Sequence, residues 1–218
     1  MIRELSRGKS VLHLGCTNYP YTSESLENGS LLHLELAEEA AELYGFDFDE
    51  RGLEVLREKG IGNLYRADLE NLDQVPLERT FDVIIAGEMI EHLPNPGLFL
   101  RGIRRFMTGS TSLVITTINA YCAMRFFIYG LRGRGGLSEP VHPDHVAYYS
   151  YSTLRLLIEN EGLEVREFYF YDIGPEHRPF NRWIYNLVND ISVKISPQLS
   201  DGLIAVCGAG GSRQRPKE

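Results

Sequence analysis

Hydrophobic residues in this chain gather into short unbroken runs separated by stretches with helical spacing, a pattern of buried strands alternating with amphipathic helices. The run Ser10-Val-Leu-His-Leu14 stops at Gly15 and has the length of a strand covered on both faces. Residues 17–30, rich in Ser, Asn, Tyr and Gly, read as an unusually long loop, and the Leu and Ala spacing of residues 31–40 then suits a helix. Residues 42–47 form the next strand, 50–59 a helix and 62–68 a third strand; 81–86, 96–106 and 112–117 continue as strand, helix and strand. This alternation implies an α/β protein with right-handed crossovers, a doubly wound parallel sheet and helices on both faces.

The pattern lapses over residues 120–146, which hold Gly-Leu-Arg-Gly-Arg-Gly-Gly136 and Pro140-Val-His-Pro-Asp-His145. A connection this long inside a compact domain is more often a lid or binding loop than inert chain. Ser152 is placed to cap a helix that runs through Glu161 and is closed by Gly162; residues 163–171 then alternate as a strand. A helix near 181–195 leads to a last strand at 202–207. The expected organisation is one domain over 1–207 with lid insertions near 120–146 and 176–195, followed by a flexible tail, 208–218.

Composition narrows this further. With 218 residues, 43% of them hydrophobic, the chain supports one sizeable core rather than two. A net charge of −8 speaks against nucleic acid as partner, because phosphate neutralisation needs clustered Lys and Arg. Cys16, Cys122 and Cys207 are odd in number, far apart and without CxxC spacing, which argues against disulfides and a zinc site. No signal peptide is visible and no apolar stretch reaches the roughly 20 residues of a membrane span, so a reduced cytoplasmic protein is expected, with contact at a membrane surface still compatible.

Ligands of a doubly wound sheet bind beyond the carboxyl ends of its strands. Gly15, after the first strand, lets backbone approach a ligand closely, although an ordinary turn also uses glycine there. Asp47 ends the second strand, where a carboxylate can accept two bonds from a ribose diol; the alternative is that Asp47 or Asp49 caps the helix starting at Glu50. After the third strand, Asp68 and Leu69 can meet an adenine amino group and ring, or simply make a turn. No GxGxxG follows the first strand, which counts against NAD.

The stretch Phe81-Asp-Val-Ile-Ile-Ala-Gly-Glu-Met-Ile-Glu-His-Leu-Pro-Asn-Pro96 resembles the class I S-adenosylmethionine-dependent methyltransferases, especially the branch with ubiquinone-pathway and sugar O-methyltransferases. The resemblance covers roughly residues 10–120, with a weaker echo over 142–154. It implies a Rossmann-like, mostly parallel seven-stranded sheet with an antiparallel last strand. It also implies S-adenosylmethionine as cofactor, held by Gly15, Cys16, Thr17, Asp47, Phe48, Asp68, Leu69 and Glu88. The chain departs from that family at His13, where an acidic residue is usual, and at Thr17 and Tyr19, where further glycines are usual.

Methyl transfer is an in-line attack, and alignment alone supplies about 7–11 kcal/mol of barrier reduction. A hydroxyl nucleophile must also lose its proton, a task suited to histidine. His13 and His33 fall on apolar faces and read as buried structural residues. His145, oriented by Asp144, is the first candidate base and His92 the second; the same cluster can instead hold a divalent cation such as Mg2+ that lowers the hydroxyl pKa. Glu88 and Glu91 are expected to face cofactor and substrate, with pKa values held low by the sulfonium. Asn119 and His142 complete the substrate side. The acceptor expected is a sugar or polysaccharide-precursor hydroxyl, on a small molecule or oligosaccharide, and a homodimer is compatible. The alternatives are a quinol, polyketide or amine metabolite as acceptor, and, in another class, a non-catalytic subunit that keeps the nucleotide-binding fold.

Overall fold

The computed structural model describes residues 1–131, 144–174 and 178–210. Seven strands, β1 (Ser10–Leu14), β2 (Glu42–Asp47), β3 (Leu64–Arg66), β4 (Val83–Gly87), β5 (Ser112–Ile118), β6 (Leu163–Tyr171) and β7 (Gly202–Ala209), lie in the order β3-β2-β1-β4-β5-β7-β6. The first five are parallel, and β7 runs antiparallel to both neighbours. Leu12 of β1 sits between Tyr44 of β2 and Ile84 of β4. Chain order therefore reverses around β1, and the crevice beyond its carboxyl end is where such sheets take ligands.

The helices are α1 (Ile2–Ser6), α2 (Thr22–Glu27), α3 (Leu32–Glu39), α4 (Glu50–Glu58), α5 (Pro96–Gly102), α6 (Ala123–Arg125), α7 (Tyr151–Asn160) and α8 (Trp183–Ile195). Because side chains alternate across a strand, Leu12, Ile84 and Ala86 join Phe99, Ile103, Phe106, Leu154 and Ile158 in one core, while Val11, Val83 and Ile85 pack with Leu36 in another on the opposite face. This two-sided burial is why the strands read as continuous apolar runs.

Local chemistry sets the helix ends. Asp49 caps α4 by accepting from the Gly52 N–H at 3.0 Å, and Pro96 occupies the first turn of α5, where its missing N–H costs nothing. The cap of α7 is Ser150 rather than Ser152: its extended backbone and reciprocal bonds with Thr153 form a capping box, which leaves Ser152 inside the first turn. Two short helices, α1 and α2, lie before β1 and inside the expected long loop, where the sequence pattern showed no element, since neither is long enough to establish a period. β7 extends through Ala209, so Gly208 belongs to the sheet and not to a tail. The first insertion, expected as a lid, contains α6 and a π-helical stretch, Phe126–Leu131, and residues 132–143 lie outside the described residues; the second expected insertion contains α8.

Candidate active site

Beyond β1, Gly15 adopts φ +70, a conformation that favours glycine, and folds the chain across the end of β2. The N–H groups of Gly15 and Cys16 both donate to the Phe46 carbonyl, at 2.8 and 3.2 Å. Thr17 N–H then donates to Asp47 Oδ2 and Asp49 N–H to Asp47 Oδ1, each at 2.9 Å. Asp49 takes the cap of α4, which leaves Asp47 to join the two loops. A carboxylate has about four acceptor sites, so both Asp47 oxygens retain capacity for a ribose diol. The next side chain, Phe48, is exposed, with the Arg66 guanidinium 5.0 Å from its ring centre. Cys16 is buried beneath the loop, and burial pushes its thiol well above the usual range. Asp68 binds its own turn, accepting from Glu70 N–H at 2.9 Å and from Asn71 Nδ2 at 2.6 Å, while Leu69 packs against the main core.

Beyond β4, Glu88 has φ +47, a left-handed conformation uncommon for a residue with a side chain. Its N–H donates to the Thr116 carbonyl at 3.2 Å and to Thr116 Oγ1 at 3.1 Å, and its carboxylate accepts from the Tyr171 hydroxyl at the end of β6. The Tyr171 ring lies across Gly202, where a Cβ would come within 2.0 Å of it. Three residues on, Glu91 is fully buried; Thr117 Oγ1 donates to its Oε2 at 2.9 Å, and its Oε1 has no hydrogen-bond partner among the described residues. Burial, and then the charge of Glu88, push its pKa up to about 8. This corrects the expectation of a low pKa: the sequence placed Glu91 near a cation but did not show how completely the sheet encloses it.

The backbone carbonyl of Glu91 accepts from Val146 N–H at 2.8 Å and Ala147 N–H at 3.2 Å, which pins the end of the first insertion against the β4 loop. His145 is thereby brought to His92, with ring centres 4.6 Å apart and planes at 81°, and to Tyr148, with centres 6.4 Å apart. One ligating atom from each of Glu91, His92 and His145 lies within 4.8 Å of the others, the spacing of a potential divalent-cation site.

The other sequence candidates are distributed differently. Asn119 is buried as a structural tie and not as a substrate ligand: both amide hydrogens go to the Gln198 and Ser200 carbonyls at 2.8 Å, and Oδ1 accepts from Tyr121 N–H at 3.0 Å. Asp144 is exposed beside the cluster in sequence, and His142 lies outside the described residues. His13 and His33 form the buried pair expected of them, with Nδ1 atoms 3.2 Å apart; desolvation lowers their pKa values to about 3 and 4, so both are neutral. Thr117 and Tyr171 were missed by sequence reasoning, though both stand at carboxyl ends of strands on the ligand edge.

The reversal at β1, a carboxylate with spare acceptor sites at the end of β2 and a polar cluster beyond β4 are arranged as in a class I S-adenosylmethionine-dependent methyltransferase. The chain belongs to the methyltransferase domain family, whose model matches residues 2–167. It is similar to the ubiquinone biosynthesis O-methyltransferase of Pseudomonas paraeruginosa, with 26% identity over 204 residues that cover 88% of this chain and 78% of that protein. The protein of the same name from Hahella chejuensis is 32% identical over 117 residues, 51% of this chain and 44% of that one. Among solved structures, a SAM-dependent methyltransferase from Archaeoglobus fulgidus superposes with a TM-score of 0.63 at 19% identity, covering 95% of this chain and 89% of the other.

Proposed function

We propose that this chain O-methylates a ring hydroxyl of a quinol-type small molecule, with S-adenosylmethionine as donor. The relatives named above support the quinol alternative over the sugar or polysaccharide acceptor expected from sequence, for which they offer nothing. The observation that carries the reading is the Glu91, His92 and His145 cluster next to the nucleoside loop. A phenolic hydroxyl, with a pKa near that of tyrosine at about 10, loses its proton to such a cluster far more readily than an alkyl hydroxyl does.

S-adenosylmethionine supplies an electrophilic methyl group when bound. The spare acceptor sites of Asp47, the exposed Phe48 ring and the open backbone at Gly15 fit its adenosine, with Cys16 and Thr17 lining the loop and Asp68 and Leu69 at the adenine end. Glu88, held by Tyr171, faces the methionine side. On the acceptor side, His145 is the first candidate to take the hydroxyl proton and His92 the second, with Asp144 to orient the ring; His142, outside the described residues, is kept only as a candidate substrate contact.

The same three residues fit a divalent cation, because the unpartnered, buried Oε1 of Glu91 points to a missing positive partner. A bound cation would lower the pKa of the acceptor hydroxyl. Glu91, His92 and His145 would then hold it, and the imidazoles would serve as ligands rather than as the base. Titrating the purified protein with Mg2+ or Mn2+, and assaying a panel of quinol, catechol and sugar acceptors with labelled donor in the presence and absence of chelator, tests both parts. Turnover of sugars alone would overturn the acceptor, and full quinol turnover in chelator would overturn the cation.

A further inference from the structure

We propose that the outer face of α8 docks on a lipid bilayer and so sets the substrate edge of the sheet against the membrane. Trp183, Leu187, Ile191 and Ile195 follow one another at four-residue spacing and are 73%, 45%, 52% and 76% exposed. At 100° per residue they cover an arc of about 120°, directly opposite the buried Asn189. A continuous apolar ridge of this kind is uncommon on a water-facing surface.

The helix is held firmly from its inner side. Asn189 Nδ2 donates to Asp172 Oδ1 at 2.7 Å, Arg178 bridges Asp172 and Asp190 at 3.0 and 2.8 Å, and Tyr185 packs against Cys122, Met124 and Ile173. The outer arc is therefore presented in a fixed orientation. α8 joins the end of β6 to the start of β7, the same edge of the sheet that carries Gly15, Asp47 and Glu88.

Charge and size distinguish a bilayer from a second copy of the chain. Arg182 and Lys194, both exposed, mark the two ends of the ridge, and helical geometry puts Lys194 within its arc. Antiparallel packing of two copies would bring Arg182 of one against Lys194 of the other. A bilayer instead offers phosphates to both while Trp183 lies at the headgroup level and the aliphatic side chains enter the acyl boundary. Four ridge residues are also far fewer than the roughly 20–30 that each partner gives to a stable protein interface. No helix among the described residues is long and apolar enough to cross a membrane, so the contact would be peripheral. Its purpose rests on the quinol reading, since a quinol with an apolar tail resides in the bilayer; its existence rests on α8 alone.

Trp183 is the chain's single tryptophan, so its fluorescence reports on this face specifically. Wild type is titrated with phosphatidylcholine vesicles, with and without phosphatidylglycerol, beside a Leu187→Ser/Ile191→Ser variant; solution mass without lipid and methylation of a short, water-soluble quinol are measured in parallel. The expected result is a blue shift and co-sedimentation for wild type, strengthened by phosphatidylglycerol, and vesicle affinity at least about tenfold lower for the variant, with equal rates on the soluble quinol. Absence of vesicle binding by wild type, or equal binding by the variant, overturns the proposal. A lipid-free dimer that the variant dissociates overturns it in favour of a second copy. Vesicle binding without methylation of any quinol leaves the docking face standing and removes the acceptor reading instead.

Discussion

Replacing Asp47 by alanine removes the carboxylate that joins the β1 and β2 loops and that we assign to the ribose diol. In the free protein, Thr17 N–H and Asp49 N–H each lose a charged acceptor at 2.9 Å. Bonds to charged groups contribute about 1.5–3 kcal/mol each, and water can replace part of that in a half-exposed loop, so folding stability falls by about 1–3 kcal/mol. Two ribose hydroxyls lose the same acceptor, and with similar replacement by water the affinity for S-adenosylhomocysteine falls by about 2–4 kcal/mol, or roughly 30- to 1,000-fold. Asp49→Ala is the control: it removes the α4 cap at a cost of about 1 kcal/mol but touches no ribose contact, so affinity stays within a few-fold. Isothermal titration calorimetry measures both variants, with thermal melts to confirm folding. Affinity unchanged by Asp47→Ala, or an equal loss in Asp49→Ala, would refute the ribose assignment.

Other expectations follow from particular contacts. A Glu91 pKa raised from 4.5 to about 8 makes the folded protein hold a proton there that the unfolded chain has lost, so Glu91 contributes stability that is lost as pH rises through 8. His13 and His33, lowered to about 3 and 4, give the opposite slope below about 6.5, so without cations the Glu91 decline stands clear between about pH 6.5 and 8. Urea unfolding at several pH values should show that slope in wild type and lose it in Glu91→Gln; a variant with the wild-type slope refutes the origin. Gly202→Ala drives a methyl into the Tyr171 ring and should cost about 1–3 kcal/mol and loosen Glu88, whereas a thermal midpoint equal to wild type would contradict the close approach. His145→Ala should lower single-turnover rates by about 10²–10⁴-fold while donor affinity, measured by calorimetry, stays near wild type. A wild-type rate in that variant would remove His145 from the site, as base or ligand.

The central strands were legible because both faces of the sheet are covered there: β1 and β2 were bounded correctly from apolar runs and β6 from alternation, whereas β3 is shorter than expected because Asn63 takes a left-handed φ of +55 just before it and Asp68 turns the chain just after it. Whether Asp47 or Asp49 caps α4 was open in the sequence, and hydrogen bonding divides them: Asp49 takes the cap and Asp47 joins the two loops. The meeting of His145 with His92 depends on backbone bonds from Val146 and Ala147 to Glu91, a pairing across more than fifty residues that no local pattern encodes. Asn119 shows the opposite failure. Its place after β5 suggested a ligand, but the return of residues 198–200 across that strand end consumes its amide. The sequence predicts only a helix near 181–195; the fold shows that the Trp183, Leu187, Ile191 and Ile195 arc of α8 faces water.

Methyl transfer itself is the most direct test of the account. Purified protein is incubated with methyl-labelled S-adenosylmethionine and a short-chain quinol, and the product is identified by mass spectrometry and fragmentation. The account predicts one labelled methyl per turnover on a ring oxygen, lost in Asp47→Ala at limiting donor and in His145→Ala at saturating donor. Donor that binds without ever being turned over by any acceptor, or label found only on sugar hydroxyls or on nitrogen, would contradict it.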